Sequence, residues 1–235
     1  MLTFSIFDGL PIVHGSFSRH GGVSQGEFES LNLAFSSGDD PEAVKRNRQI
    51  ACEKLNVQTL VSLQQVHSDR VVEANPEQQL EADALITNRP QLGLLILHAD
   101  CQAAIIYDPM NHALANVHCG WRGNVQNIYA QTIMQMCGAY GSKPEDLLVA
   151  ISPSLGPRAA QFVNYKEEFP NCYWDFQEDH HFDLWELSRY QLIAAGVLPH
   201  HIEVSGICTY SNPDSYFSYR RVQKSGRHGT IAFLN

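Results

Sequence analysis

The chain has 235 residues with 16 Lys+Arg against 25 Asp+Glu, a formal charge of −9, and 44% of its residues are hydrophobic. A chain of this size buries a core without disulfide staples, so a single domain over 1–235 is expected, and the acidic balance with no basic run argues against nucleic acid as a partner. The longest apolar run, "LGLLIL" at 92–97, is far below spanning length, and "MLTFSIFDGL" has no basic region ahead of its apolar residues, so no membrane partner and a cytoplasmic location are expected.

Taken in chain order, the pattern predicts strands at "LTFSIF" (2–7) and "IVHGSF" (12–17). A helix follows over "DDPEAVKRNRQIACEKL" (39–55), with Asp40 as N-cap and Pro41 at the first helical position. Five apolar or alternating runs then read as strands: "LVSLQQV" (60–66), "DALIT" (83–87), "GLLILHA" (93–99), "AAIIYD" (103–108) and "ALANVH" (113–118). A helix is predicted from about Asn124 to Gly138, a strand at "LLVAIS" (147–152), a helix over "DLWELSRYQLIAAG" (183–196) closing on Gly196, and strands at "IEVSGI" (202–207) and "GTIAFL" (229–234). Strands and helices do not alternate regularly, which points to an α+β fold of packed mixed sheets with flanking helices rather than a doubly wound parallel sheet.

Six cysteines, at 52, 101, 119, 137, 172 and 208, form no C-x-x-C pair, and Cys52, Cys137, Cys172 and Cys208 read as small apolar residues. Cys101 is different in its company. "LQQVHSD" puts His67 just past a strand, "LHADC" puts Cys101 between two apolar strands, and "NVHCGWRG" puts His118 at a strand end. Two imidazoles and a thiolate around an open position are a known catalytic zinc composition, while histidines that merely cap strand ends would give the same spacing. The "CGWRGN" turn feeds a helix whose first N–H groups could meet an anion, with Arg122 able to add a bidentate contact; pairing of Arg122 with an acidic side chain is the plainer reading.

The ordered set "HGSFSRHGGVS", "SLNLAFSSGDDPEAVKRNR", "LQQVHSD", "ADALIT", "HADC", "HCGWRG" and "YFSYRR" followed by "GR" resembles the YfiH family, described both as laccase-like polyphenol oxidases and as purine nucleoside phosphorylases. The resemblance runs nearly end to end. It implies a zinc site at His67, Cys101 and His118, with copper the alternative under the older label. It also implies phosphorolysis of adenosine, inosine, guanosine and methylthioadenosine, together with deamination of adenosine. Partners would be a purine nucleoside and phosphate; the residues do not specify an oligomeric state. Asp100 is then the candidate for proton work, and Arg19, Asn32, Arg122, Arg220 and Arg221 are candidates for phosphate, base or sugar contacts. Cys119 stands where the family usually has Ala, Ser152 where it has Gly, and "CQAAII" where a Leu-Pro step is common. A rival reading makes Cys101 a nucleophile with His118 as its base, in a hydrolase editing peptidoglycan precursors. A copper oxidase would need H-x-H clusters, and the chain has none.

Overall fold

The computed structural model describes residues 1–235. Its strands are β1 (Ile12–Ser16), β2 (Thr59–Ser62), β3 (Val71–Glu73), β4 (Ala84–Thr87), β5 (Leu92–His98), β6 (Gln102–Asp108), β7 (Ala113–Cys119), β8 (Leu148–Ile151), β9 (Gln177–Glu178), β10 (His181–Phe182), β11 (Ile202–Val204) and β12 (His228–Leu234). The helices are α1 (Pro41–Leu55), α2 (Trp121–Gln126), α3 (Ile128–Tyr140), α4 (Tyr165–Glu168) and α5 (Leu184–Ala194). One sheet has the order β1-β12-β5-β2, a second has β11-β8-β6-β7-β4-β3, and β9 and β10 form a hairpin. Parallel pairs (β2/β5, β3/β4, β8/β11) sit beside antiparallel ones, so both larger sheets are mixed.

Period-two alternation explains why the strands are apolar on both faces. In β5, Leu94 and Ile96 enter a core between the two sheets, while Leu95 packs with Ala51 and Leu55 of α1. In β6, Ala103, Ile105 and Tyr107 join the same inter-sheet core, while Ala104 and Ile106 face outward to Ile133 and Met136 of α3 and Leu192 of α5. The result is four layers, helix, sheet, sheet, helix.

Several expectations are corrected. Residues 2–7 are not a strand: Leu2 makes a lone bridge to Ser16 and Ser5–Phe7 is a 3-10 turn, because Phe4 and Phe7 reach the core at a spacing of three rather than two. The helix expected from Asn124 starts at Trp121 and is broken at Asn127, whose left-handed backbone (φ 54°) ends α2 while its side chain caps α3 by accepting from Ala130 N–H at 3.2 Å. Gly138 does not stop α3, which continues to Tyr140 and ends at the left-handed Gly141. Short β3 and the β9–β10 hairpin were below the reach of periodicity. Asp40 and Pro41 start α1 as expected, with the Asp40 carboxylate accepting from Glu42 N–H at 3.0 Å.

Candidate metal centre and cavity

The His67 loop leaves β2 in the first sheet, Cys101 lies in the turn where the chain passes from β5 in the first sheet to β6 in the second, and His118 is the penultimate residue of β7. The three meet at one end of the sandwich, with their ligand atoms all within 4.8 Å of one another. Cys101 Sγ lies 4.0 Å from His67 Nε2, and the two imidazole rings stand edge to face with centroids 4.9 Å apart. Such a set could hold a metal ion, and no second cluster of three such donors exists in the chain.

Local backbone aims these groups. His67 has φ 61° and Asp100, just before Cys101, has φ 84°, both left-handed conformations that turn the chain sharply at the site. Gly120 has an extended backbone, and its lack of a side chain matters for space: a Cβ there would sit 2.9 Å from Cys101 Sγ and 3.2 Å from His67 Cδ2. The first glycine of "GWRG" is therefore demanded by the cluster itself.

Asp83, which motif reading passed over except as part of "ADALIT", lies fully buried beneath the trio. Its Oδ1 accepts from His67 N–H at 3.0 Å and lies 2.8 Å from His118 Nδ1; its Oδ2 accepts from Ser68 N–H at 2.6 Å, Ser68 Oγ at 2.8 Å and Val66 N–H at 3.2 Å. Burial alone would raise its pKa, but the bonds from His118 and Ser68 outweigh it and hold the carboxyl at about 2. Burial would likewise lower His118, yet the Cys101 charge and the Asp83 bond lift it to about 9. Burial would raise Cys101, and the neighbouring His118 and His67 instead bring it down to about 6. The histidines thus favour the thiolate form of Cys101, while the Asp83 carboxylate holds the proton on Nδ1 of His118.

Cys119 points the other way. Adjacent strand residues face opposite sides, so its thiol packs with the apolar core under α3, where burial pushes its pKa well up. It is not among the grouped donors.

The trio opens on a cavity of about 1200 Å³. Asp100, Arg122 and Arg220 line it as expected, and so do Arg48 and Arg227, which motif reading did not select. None of these four arginines makes an ion pair with a carboxylate. Arg48 is held by Leu33 C=O at 2.8 Å over the ring of Phe35, and Arg122 lies over Trp121. The signal for Arg48 was its place in "VKRNR" on a helix face where Asn47 and Ala51 are buried. Asp100 accepts from Thr209 Oγ1 at 2.7 Å and from Arg220 N–H at 2.6 Å. Trp121, Leu155, Phe162 and Leu184 form an apolar wall.

Three other candidates are not brought to this cavity. Asn32 is fully buried; its amide N–H groups donate to Ser37, Asp39 and Ala34 C=O, and its oxygen accepts from Ala34 N–H and Arg227 N–H. Arg19 donates to the carbonyls of Glu29 and Pro213 and stacks on Phe217, and Arg221 donates to the carbonyls of Thr209, Tyr210 and Tyr216. Their polar groups organise loops.

Comparison with known proteins places this architecture. Residues 13–235 match the family described as multi-copper polyphenol oxidoreductase laccase. The chain belongs to that family. Among relatives of this laccase-type family, a purine nucleoside phosphorylase of Bacteroides thetaiotaomicron is 35% identical over 240 residues, covering 92% of this chain and 89% of that protein. A purine nucleoside phosphorylase of Pseudomonas aeruginosa is 35% identical over 227 residues, covering 92% and 91%. The solved structure of YlmD from Geobacillus stearothermophilus superposes with a TM-score of 0.90 at 27% identity, over 99% of this chain and 94% of that one. The YfiH resemblance and the fold of packed mixed sheets are both borne out.

Proposed function

We propose that the chain is a zinc-dependent purine nucleoside phosphorylase, acting on adenosine, inosine, guanosine and methylthioadenosine, and that the same site deaminates adenosine. The observation that carries the reading is a His67–Cys101–His118 trio opening on a cavity with four arginines that no carboxylate neutralises and an apolar wall. The donor set suits zinc: two imidazole nitrogens and a thiolate, all lining the cavity, with the carboxylate of Asp83 behind one imidazole. Zinc held there would supply Lewis acidity and a water of lowered pKa.

The chain's own residues carry the rest. In phosphorolysis a phosphate oxygen attacks the anomeric carbon as the bond to the purine breaks, so an anion must be held close to a sugar gaining positive charge. Arg122, Arg220, Arg48 and Arg227 can hold it, because each offers guanidinium hydrogens not already neutralised by a carboxylate. α2 has only six residues, so its dipole is small and the charge of Arg122 carries more of the anion reading than the turn does. Trp121, Phe162, Leu155 and Leu184 offer a flat apolar surface to a purine. Asp100 is the proton-handling candidate for deamination; each of its oxygens accepts one hydrogen bond and retains a further lone pair.

A single trio supports one ion rather than a multicopper centre, whatever the family's description. One observation favours a second reading: a thiol held at about 6 beside a buried histidine is also the dress of a cysteine nucleophile, in a hydrolase acting on peptidoglycan precursors. The first experiment is a nucleoside screen on metal-quantified protein, with and without phosphate. Hypoxanthine release from inosine is expected only with phosphate, while ammonia release from adenosine proceeds without it. Equal cleavage of inosine in phosphate-free buffer overturns phosphorolysis.

A further inference from the structure

We propose that Asp83 is the positioning residue that assembles the metal centre, fixing both histidine ligands before any ion arrives; this rests on the metal reading above. Asp83 sits just ahead of β4, between the two segments it joins. Its backbone N–H bonds Arg70 C=O at 3.0 Å, on the far side of the His67 loop, and its own C=O accepts from His118 N–H at 2.7 Å. Its carboxylate adds the five contacts already described, to Val66, His67, Ser68 (twice) and His118. One buried residue thus grips both ligand-bearing segments, from main chain and side chain alike.

The same count excludes other roles. Two carboxylate oxygens offer about four lone-pair directions, and five donors already converge on them. Asp83 has no capacity left to ligate an ion or to take a proton from substrate, and it does not line the cavity. What it does control is orientation. By holding Nδ1 of His118 as a donor it leaves Nε2, on the opposite side of the ring, as the unprotonated ligand nitrogen. By taking three successive N–H groups from Val66, His67 and Ser68 it holds the left-handed turn at His67, a conformation a non-glycine residue leaves readily unless surrounding bonds fix it.

Asp83→Asn tests this with little change of shape. An amide nitrogen in place of Oδ1 would meet His67 N–H and force Nδ1 of His118 to accept, moving the ring proton onto the ligand nitrogen. In place of Oδ2 it would meet the N–H groups of Val66 and Ser68. Either way a donor faces donors. Zinc affinity, read by competition with a chromophoric chelator, is expected to fall by ~10- to ~100-fold in Asp83→Asn, and by less in Ser68→Ala, which removes one of the five contacts. The fall in turnover should appear in kcat at a given zinc loading and leave KM nearly unchanged. Undiminished affinity in a folded Asp83→Asn protein overturns the proposal. If that variant does not fold, the wild-type protein stripped of metal decides: amide exchange at His67 and Ser68 should remain protected, and free exchange there overturns it. Wild-type protein that binds no zinc, yet keeps those amides protected, sinks the metal reading while upholding Asp83 as the group that sets the two histidines.

Discussion

At Cys101 the metal and nucleophile readings give opposite chemistry. A zinc-bound thiolate is shielded, whereas a free thiolate at about 6 is almost fully ionised at neutral pH and open to alkylation. Iodoacetamide should therefore label Cys101 slowly in holoprotein and quickly after chelation, with mass spectrometry to place the label. Cys119 should stay unlabelled in both, because its thiol is buried on the opposite face of β7. Fast labelling of Cys101 in untreated protein, with activity falling in step, moves the reading to a cysteine hydrolase. Arg122 is the residue on which the two proposed reactions part. Arg122→Ala should cost phosphorolysis about 10- to 100-fold, as expected for loss of one charged contact, and leave deamination within about twofold. Equal losses in both would show that Arg122 holds nucleoside rather than phosphate. The trio was legible in sequence because histidine and cysteine at strand ends are few. Arg48 and Arg227 were not, because an arginine without a carboxylate partner looks the same in sequence as one with such a partner. Asn32, Arg19 and Arg221, which the resemblance put forward, lie outside the cavity, and their polar groups bond neighbouring loop residues in a way that no motif announces.

At the scale of elements, the turn from β7 into α2 is the sharpest constraint. Gly120→Ala would drive a methyl group against Cys101 Sγ and His67 Cδ2, and neither can retreat without moving the trio. Displacement of reacting groups by about 1 Å costs ~100-fold in kcat/KM, and overpacking adds about 1–3 kcal/mol of destabilisation. Urea unfolding and metal content measured side by side check this: wild-type zinc content with wild-type turnover would show that the turn has slack. The strands were readable where they are long and apolar, as β5, β6, β7 and β12 are. β3 was not, since three residues with partial exposure carry no period. Asn127 escaped for a different reason. The apolar spacing continues across it, and only a left-handed backbone, which asparagine tolerates, makes two helices of one pattern.

Across the whole molecule, two histidines are buried where the sheets meet the cavity. His98 and His228 are register partners on β5 and β12 with rings 4.3 Å apart. Burial holds His228 at about 3, with Arg227 adding to the shift, and burial carries His98 well below its usual value. Both fold as neutral rings. The sign follows: the unfolded chain binds protons below about 6.5 while the folded one does not, so stability falls as pH drops, by ~1.4 kcal/mol per pH unit for each histidine. His228→Phe should flatten that slope by one histidine's share between pH 6 and 5 in urea titrations. An unchanged slope would mean that His228 ionises in the folded state.

The four cavity arginines, none neutralised by a carboxylate, sit inside a chain whose formal charge is −9. The exterior field repels anions while the interior attracts them, which makes the protein a charge filter. A long polyanion must lie against that acidic surface to reach the cavity; a small one passes within a Debye length, about 8 Å at physiological salt, and then meets four guanidinium groups against the carboxylates of Asp100 and Glu77. Added salt weakens both fields together. If phosphate is a reactant, its small size suits this arrangement, and the placement of the positive charge, rather than the net charge alone, decides which anions reach it.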